Sequence, residues 1–597
     1  MIVGEAPGSD ETLQLKPFVG KSGQELTRML HESGINREEC FITNVCKYQP
    51  PKNDIAQWFS NKTQAKKDGT PCLAKRYPNN IIAIGLEHLR KEIEIVSPRV
   101  IIALGETALW ALTGESGITK WRGSMMDLNF LGEGNINPLI RVIPTYHPAF
   151  VLRVWETRAI AVHDLTRAKG ESINLTPIPD YDFLVRPSYS ATIDWLGDLI
   201  NLLANTQTPI RIAVDIETRN RHIADIGLAT SPTEAISIPI MVRGNISGYW
   251  DFEEEFMIIR LLEIILTHSK SFIVWQNGPY DLQYIARYWG FLPRNDFDTM
   301  TAQGVCWPSV PKALHFLASM YCEYYLYWKD ESQEWDPKLG EEQLWVYNCK
   351  DCCATWEASV VLEELLETLS LTEPFQMKMR FSHPFLSMML RGVRYNTARV
   401  PGLRRDLEKV RESYQEFFHD LIPDPGTAKS PKAAQWYDSP TQTRTLFYDI
   451  LKLPVVKHRK THKPTVDDDA LPIIGKKEPC LLPITDSLSE YRSLGVFSNN
   501  FLSAKIDADG RVRCTYNGVG AETFRNSSST DSFGFGLNLQ NIPAGAESSI
   551  LPWYDIIKIK DPKVRESYPS RSTPSKPKKG ASHAIDLNAI FGNLKGK

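Results

Sequence analysis

RIAVDIET (211–218) reads as a strand whose apolar run is broken by two acids. Alternation puts Asp215 and Glu217 on one face of that strand, with Val214 and Ile216 on the other. Two carboxylates so placed repel one another unless a cation stands between them. Two later segments supply partners. NGPYD (277–281) offers Asp281 just after the strand-like FIVWQN (272–277). YNCKD (347–351) sets Tyr347 and Asp351 one helical turn apart, within a long helical pattern from Glu341 to Leu366. Four carboxylates and a tyrosine suit two hard divalent cations with oxygen ligands. Two such ions about 4 Å apart activate a water and stabilise the departing oxygen of a phosphodiester. Taken singly, each segment has a plainer reading: a strand-end Asp as a turn residue, a helical Asp as a solvated one.

In this order, DIET, NGPYD and YNCKD resemble the DxE, NxxxD and YxxxD motifs of the proofreading 3′–5′ exonuclease domain of DNA polymerases. The resemblance implies an RNase H-like fold in which Asp215, Glu217, Asp281 and Asp351 hold two Mg²⁺ or Mn²⁺ ions. Tyr347 would orient the attacking water. FDTMTAQ (297–303) resembles a further stretch of that fold, with Asp298 standing behind the ligand set.

The chain of 597 residues has 68 Lys+Arg and 71 Asp+Glu, a formal net charge of −3, so it is not a polycation as a whole. With 42% apolar and 23% charged residues it has the composition of packed globular domains, which excludes collagen, coiled coil and wholesale disorder. No apolar run approaches the roughly 20 residues that cross a bilayer, and the sequence opens on an apolar strand rather than a signal core. Ten cysteines without paired CxxC sets read as reduced thiols of a cytoplasmic protein.

Residues 1–168 alternate short apolar strands with helical stretches, as in IIALG (101–105) followed by ETALWALTG, which ends at Gly114. Residues 169–205, with the proline-bearing GESINLTPIPDYDFLVRPSYS (170–190), are expected to be a linker. The exonuclease-like unit spans 206–367 and a third unit 368–550. The third unit holds an amphipathic helix, VPGLRRDLEKVRESYQEFFHDL (400–421), and two expected loops at 423–440 and 457–463. Residues 551–597 form a Ser/Pro/Lys-rich basic tail of disordered composition.

The first unit carries its own set of polar groups. GEAPG (4–8) places Glu5 in a turn between Gly4 and Gly8, PFVGKSG (17–23) presents Phe18, FITN (41–44) ends in Asn44, and TYHPA (145–149) holds His147 before a proline. An aromatic plate, an amide, an acid and an imidazole suit recognition of a flipped nucleobase, although turn residues and one satisfied histidine give the same pattern. In order, and with SPRVIIALGETA (97–108) and HPAFVLR (147–153), these segments resemble the uracil-DNA glycosylases of the iron–sulfur type. The resemblance implies an α/β three-layer domain that excises uracil. Phe18 would stack on the base and Asn44 would read its edge. His147 would stabilise the departing base, Glu5 would act on water, and Gly4 and Gly8 would line the pocket. That family has two cysteine ligands before its first strand and two later ones. Here Met1 stands almost on the first strand, Tyr48 occupies a later ligand region, and no cysteine lies between Cys72 and Cys306. No iron–sulfur cluster is expected. Excision and DNA binding without excision both stay open.

From about residue 376 the chain resembles the thumb and early palm of family A DNA polymerases, through HPFLSMMLRGVRYN (383–396), SPTQTRTLFYDILKLPVVKHRKTHKPTVDDDAL (439–471) and NLQNIP (538–543). The resemblance implies a mainly helical thumb and a partial palm. Lys457, Arg459, Lys460 and Lys463 would touch phosphates, and Arg525, Asn538 and Gln540 the primer-template. No DYSQIE-like aspartate strand follows Pro543, so primer extension is not expected from this chain alone. An intron, a frameshift or a split gene would explain the break.

The expected protein is an α/β multidomain, phage-type DNA replication protein, a truncated family A polymerase with 3′–5′ exonuclease activity on single-stranded or frayed 3′ ends. Its place is the cytoplasm, that of the host if phage-encoded, and a separate polypeptide would supply palm and fingers. A uracil-excising repair enzyme with a DNA clamp, and a non-catalytic subunit of a split polymerase, are the competing readings.

Overall fold

The computed structural model describes residues 1–133, 137–242, 245, 248–331, 341–422, 435–459 and 461–541. Lys460, the end of NLQNIP, most of the expected 423–440 loop and the 551–597 tail lie outside the described residues. The chain divides into two compact units, 1–383 with 518–525, and 384–517 with 526–597.

The first unit holds two sheets. In the first, Ile42–Asn44, Ile2–Gly4, Val100–Leu104 and Asn137–Thr145 run parallel in that order, and Met126–Leu128 closes the edge antiparallel. Strand alternation sorts its side chains into two layers. Ile2, Ile102 and Ile143 pack with Leu26, Leu30 and Leu165 from the helices Lys21–Glu32 and Arg158–Ile173. Val3, Ile101 and Ala103 pack with Ile82, Leu86 and Leu109 from Asn80–Val96 and Glu106–Thr113. A mostly parallel sheet covered on both faces leaves its carboxyl ends as the place for a ligand. Gly4, Asn44 and the turn to His147 all lie at those ends.

The second sheet has the order Phe297–Asp298, Ser271–Trp275, Ile210–Arg219, His222–Ala229, Glu234–Pro239, Asp182–Leu184. Ile210–Arg219, His222–Ala229 and Glu234–Pro239 form an antiparallel meander, and the other pairings are parallel. The helix Glu342–Thr368 lies against this sheet. Gly227 is opposite Asp215 in the ladder and lets that helix come close: a Cβ there would stand 2.1 Å from Asn348 Oδ1 and 2.7 Å from Cys352 Sγ. This close approach brings Asp351 down to the strand that carries Asp215.

The expected 169–205 linker is corrected. Arg158–Ile173 continues into it, Asp182–Leu184 joins the second sheet as an edge strand, and Tyr189–Asn205 is a helix capped by Ser188. The prolines that looked like linker punctuation fall between these elements, where a missing N–H costs nothing. Buried Leu196, Leu199 and Leu203 supply the helical period.

The second unit is mainly helical. Val400–Leu421 and Leu482–Phe497 share a core of Leu407, Tyr414, Phe418, Leu488, Tyr491 and Leu494. Two short ladders complete it, Val393–Arg394 with Arg511–Val512 and Thr515–Asn517 with Ser527–Ser529. Among the described residues no helix is long and apolar enough to cross a membrane.

Candidate active sites

Ile210–Arg219 is a central strand whose Val214 and Ile216 point into the core, so Asp215 and Glu217 face the opposite way, half-buried. Ligand oxygens of Asp215, Glu217 and Asp351 all lie within 4.8 Å of one another. Burial, then the charge of Asp351, pushes Asp215 up to about 8. Burial and Asp215 hold Glu217 well above the ordinary carboxylate range. Burial leaves the three oxygens poorly screened by water, so negative charge among them asks for a counter-ion. The donor set fits hard divalent cations.

Asp281 is not one of the three. It is buried in the first turn of Pro279–Tyr288, and its Oδ1 accepts the backbone N–H of Ile216 at 3.2 Å. It therefore sits beside the strand at Ile216, past the end of the Ser271–Trp275 ladder, and burial followed by Asp215 raises its pKa. The turn that delivers it is fixed by Asp298, whose Oδ2 accepts the Gly278 N–H at 2.8 Å and whose Oδ1 caps the next helix at Thr301. Asn277 enters that turn with φ +63°. Tyr347 and Asp351 project from the same face of their helix, as their spacing predicts, and Lys329 Nζ bonds both, lying 2.8 Å from the Tyr347 hydroxyl.

Sequence reasoning missed three residues here. Trp328 Nε1 donates to Asp351 Oδ1 at 2.7 Å, and Lys329 forms an ion pair with Asp351 Oδ2. Asp225 lies opposite Glu217 in the ladder, fully buried, and takes hydrogen bonds from Ser237 at 2.9 Å and Asn348 at 2.7 Å. Burial raises it to about 7. The acid in the apolar run HIADIGLA was a visible signal for Asp225; YWKD had none.

In the first domain the expected pocket residues converge. A Cβ on Gly4 would stand 2.5 Å from both Asn44 Oδ1 and Phe18 Cζ, so only glycine leaves this floor open. Phe18 has φ +54°, a strained backbone for an aromatic residue, and the Arg37 guanidinium holds its carbonyl at 2.8 Å. The rings of Phe18 and His147 are 5.7 Å apart. Asn44 Oδ1 is buried with no hydrogen-bond partner. His147 Nδ1 accepts the Ala149 N–H at 3.1 Å, which leaves the proton on Nε2. Burial, then Arg153, pushes His147 down to about 4, so its ring is neutral at pH 7. Glu5 Oε2 accepts the Thr107 hydroxyl at 2.6 Å. Glu11, not anticipated, accepts the N–H groups of Val19 and Gly20 and braces the Phe18 turn at the side of Gly8.

Neither Cys46 nor Cys72 joins a group of three metal-ligating side chains among the described residues. Cys46 is buried and its thiol is pushed up to about 12, while Cys72 is exposed. Beside Tyr48, Lys47 bonds Glu92 of the Asn80–Val96 helix at 2.7 Å and the Thr43 hydroxyl at 2.7 Å, tying that helix by an ion pair. Among the described residues the sole convergence of three metal-ligating side chains is the acidic trio.

In the second unit, Lys457, Arg459 and Lys463 are exposed on a turn closed by the His458 N–H to Lys463 carbonyl bond at 2.9 Å. Asn538 is half-buried and accepts from Gln540 N at 3.0 Å, and Gln540 is exposed. Arg525 is exposed and belongs to the first unit, beside Phe524, whose carbonyl accepts from Lys378 at 3.1 Å.

One chain thus carries the cluster of Phe18, Asn44 and His147 in its first domain and the acidic trio of Asp215, Glu217 and Asp351 in its second. Residues 1–166 match the uracil DNA glycosylase superfamily and residues 188–367 match the family described as 3′-5′ exonuclease. A type-4 uracil-DNA glycosylase of Thermotoga maritima is 38% identical over 174 residues, 28% of this chain and 76% of that protein. Through its first domain the chain belongs to the uracil-DNA glycosylase superfamily. A DNA polymerase of Bacillus phage SP01 is 23% identical over 616 residues, 88% of this chain, and the chain spans 61% of that relative's length. The solved POL domain of Pol1 from M. smegmatis, in complex with primer-template and dNTP, superposes with a TM-score of 0.45 at 19% identity, covering 61% of this chain and 56% of that one.

Proposed function

We propose that the chain is a metal-dependent 3′–5′ exodeoxyribonuclease of the proofreading kind within a phage-type DNA replication protein. The convergence of Asp215, Glu217 and Asp351 within 4.8 Å carries this reading. Asp215, Glu217 and Asp351 would hold the ions, with Asp281 joining from the edge of the strand at Ile216. Two divalent cations at such a site supply an activated water and a stabilised leaving oxygen. Tyr347 would orient that water through its hydroxyl. The exposed Lys457, Arg459 and Lys463, with Arg525, Asn538 and Gln540, would contact DNA. Primer extension is not part of the proposal for residues 1–597 alone, and a separate polypeptide carrying palm and fingers would show itself by co-purification. The domain division proposed is 1–168, 206–367 and 368–550, with the strand 182–184 and the helix 189–205 added to the 206–367 unit. Digestion of a 5′-labelled primer in Mg²⁺ tests the reading: wild type shortens it from the 3′ end, and Asp215→Ala leaves it intact.

A second activity, uracil recognition in the first domain, is favoured by one observation. The unpartnered Asn44 Oδ1 is buried in a pocket beside Phe18, which suits the N–H of a pyrimidine edge. A uracil-containing oligonucleotide treated with the protein and then alkali tests whether binding extends to excision. Strand scission lost in His147→Ala supports excision, and no scission by the wild type restricts the domain to binding.

A further inference from the structure

Residues 319–330 run between the first domain and the acidic cleft, and the inference rests on the exonuclease reading of that cleft. One side of the segment is fixed to the first domain. Arg122, buried and paired with Asp164, donates to Ser319 Oγ at 2.7 Å. Arg167 donates to the Cys322 carbonyl at 3.0 Å, and Met125 N to the Tyr325 carbonyl at 2.7 Å. Tyr327 N donates to Ser124 Oγ at 3.2 Å, and Lys120 pairs with Asp330 at 2.9 Å. The other side faces the cleft. Trp328 and Lys329 take up both carboxylate oxygens of Asp351, and the ammonium of Lys329 also lies 4.7 Å from the Tyr347 ring centroid.

Lys329 thus stands where positive charge is wanted, and its field also acts on Asp215 and Glu217. Burial opposes its charge, but Asp351 and Tyr347 together outweigh burial and keep it protonated. A divalent ion that takes Asp351 as a ligand must displace this ammonium or bear its repulsion. The backbone of Tyr327 on one side and the carboxylate of Asp330 on the other tie the segment down and limit how far Lys329 withdraws.

We propose that Lys329 is a tethered cation that competes with divalent metal for Asp351, and that the first domain holds it in place through residues 319–330. The contribution is to metal threshold, so Lys329 is a positioning residue rather than one that touches substrate. Loss of its charge removes the cation that competes for Asp351, and metal binds more tightly.

The test is a Mn²⁺ titration of the full chain, reading free Mn²⁺ by electron paramagnetic resonance, without DNA. The dissociation constant of Lys329→Met is expected to fall roughly tenfold or more, from loss of a unit charge a few ångströms away. Lys329→Arg, which keeps the charge, is expected to stay within about threefold of wild type on the same Coulomb argument. The double variant Lys120→Ala/Ser124→Ala, which loosens the anchor, is expected to shift in the same direction as Lys329→Met by a smaller factor. Unchanged or weaker binding in folded Lys329→Met overturns the competition. Wild-type affinity in the anchor variant overturns the role given to the first domain. If Lys329→Met loses its native circular dichroism, Lys329→Gln is read against the same criterion. Wild type binding no Mn²⁺ at all overturns the metal reading itself, a failure distinct from an affinity that ignores Lys329.

Discussion

Trp328 Nε1 reaches Oδ1 of Asp351 at 2.7 Å, a neutral donor on a carboxylate whose other oxygen faces the ammonium of Lys329. A buried hydrogen bond to a charged acceptor is worth about 1.5–3 kcal/mol, and groups that orient a metal ligand change affinity by about 10–100-fold. Trp328→Phe keeps the apolar contact and removes the donor. It is expected to lower urea stability by about 1–3 kcal/mol. It should also slow primer digestion at sub-saturating Mg²⁺ more than at saturating Mg²⁺. Equal slowing at both concentrations would detach Trp328 from metal binding.

The pair Arg122 and Asp164 is buried, and Asp164 also takes the Thr145 hydroxyl at 2.8 Å, two residues before His147. Removing one partner of a buried pair strands the other charge and costs about 3–5 kcal/mol. Arg122→Met is expected to lose stability on that scale in chemical denaturation. A loss under about 1 kcal/mol would mean the pair is reached by solvent.

His147 carries a pH prediction. Its pKa falls from 6.5 to about 4, so the folded state binds fewer protons than the unfolded chain between those values. The stability it contributes is present above pH 6.5 and is lost as pH falls toward about 4. The His147 imidazole resonance should show no midpoint between pH 5 and 8 in a nuclear magnetic resonance titration. A midpoint near 6.5 would contradict the neutral ring assigned to the pocket.

The turn at 457–463 makes a quantitative claim about DNA. Each phosphate contact contributes roughly 0.7–0.9 to the slope of log K against log salt. Replacing Lys457, Arg459 and Lys463 with glutamine is expected to reduce that slope by about 2–3 for primer-template. An unchanged slope would remove this turn from the interface.

Much of this was readable before the fold. The period-two placement of Asp215 and Glu217, the turn spacing of Tyr347 and Asp351, and the helix 400–421 follow from local geometry, and the structure places them as expected. The Arg158–Ile173 helix overran its expected end, and the 182–184 strand and 189–205 helix were hidden because prolines between elements look like prolines within a linker. Trp328 and Lys329 were invisible for a different reason. Their partner Asp351 is 22 or 23 residues away, and nothing local in YWKD marks that contact. Asp281 was assigned with the other carboxylates through the NGPYD motif, which does not show how it meets them: its Oδ1 takes the N–H of Ile216, between Asp215 and Glu217 on their strand.

The central claim is that the acidic trio of the exonuclease-like domain holds divalent metal. A crystal soaked in Mn²⁺ and measured at the manganese absorption edge tests it directly. The account predicts anomalous density among Asp215, Glu217 and Asp351, with the ammonium of Lys329 displaced from Asp351. Well-ordered carboxylates with no anomalous density among them, at Mn²⁺ concentrations that support nuclease activity, would contradict it.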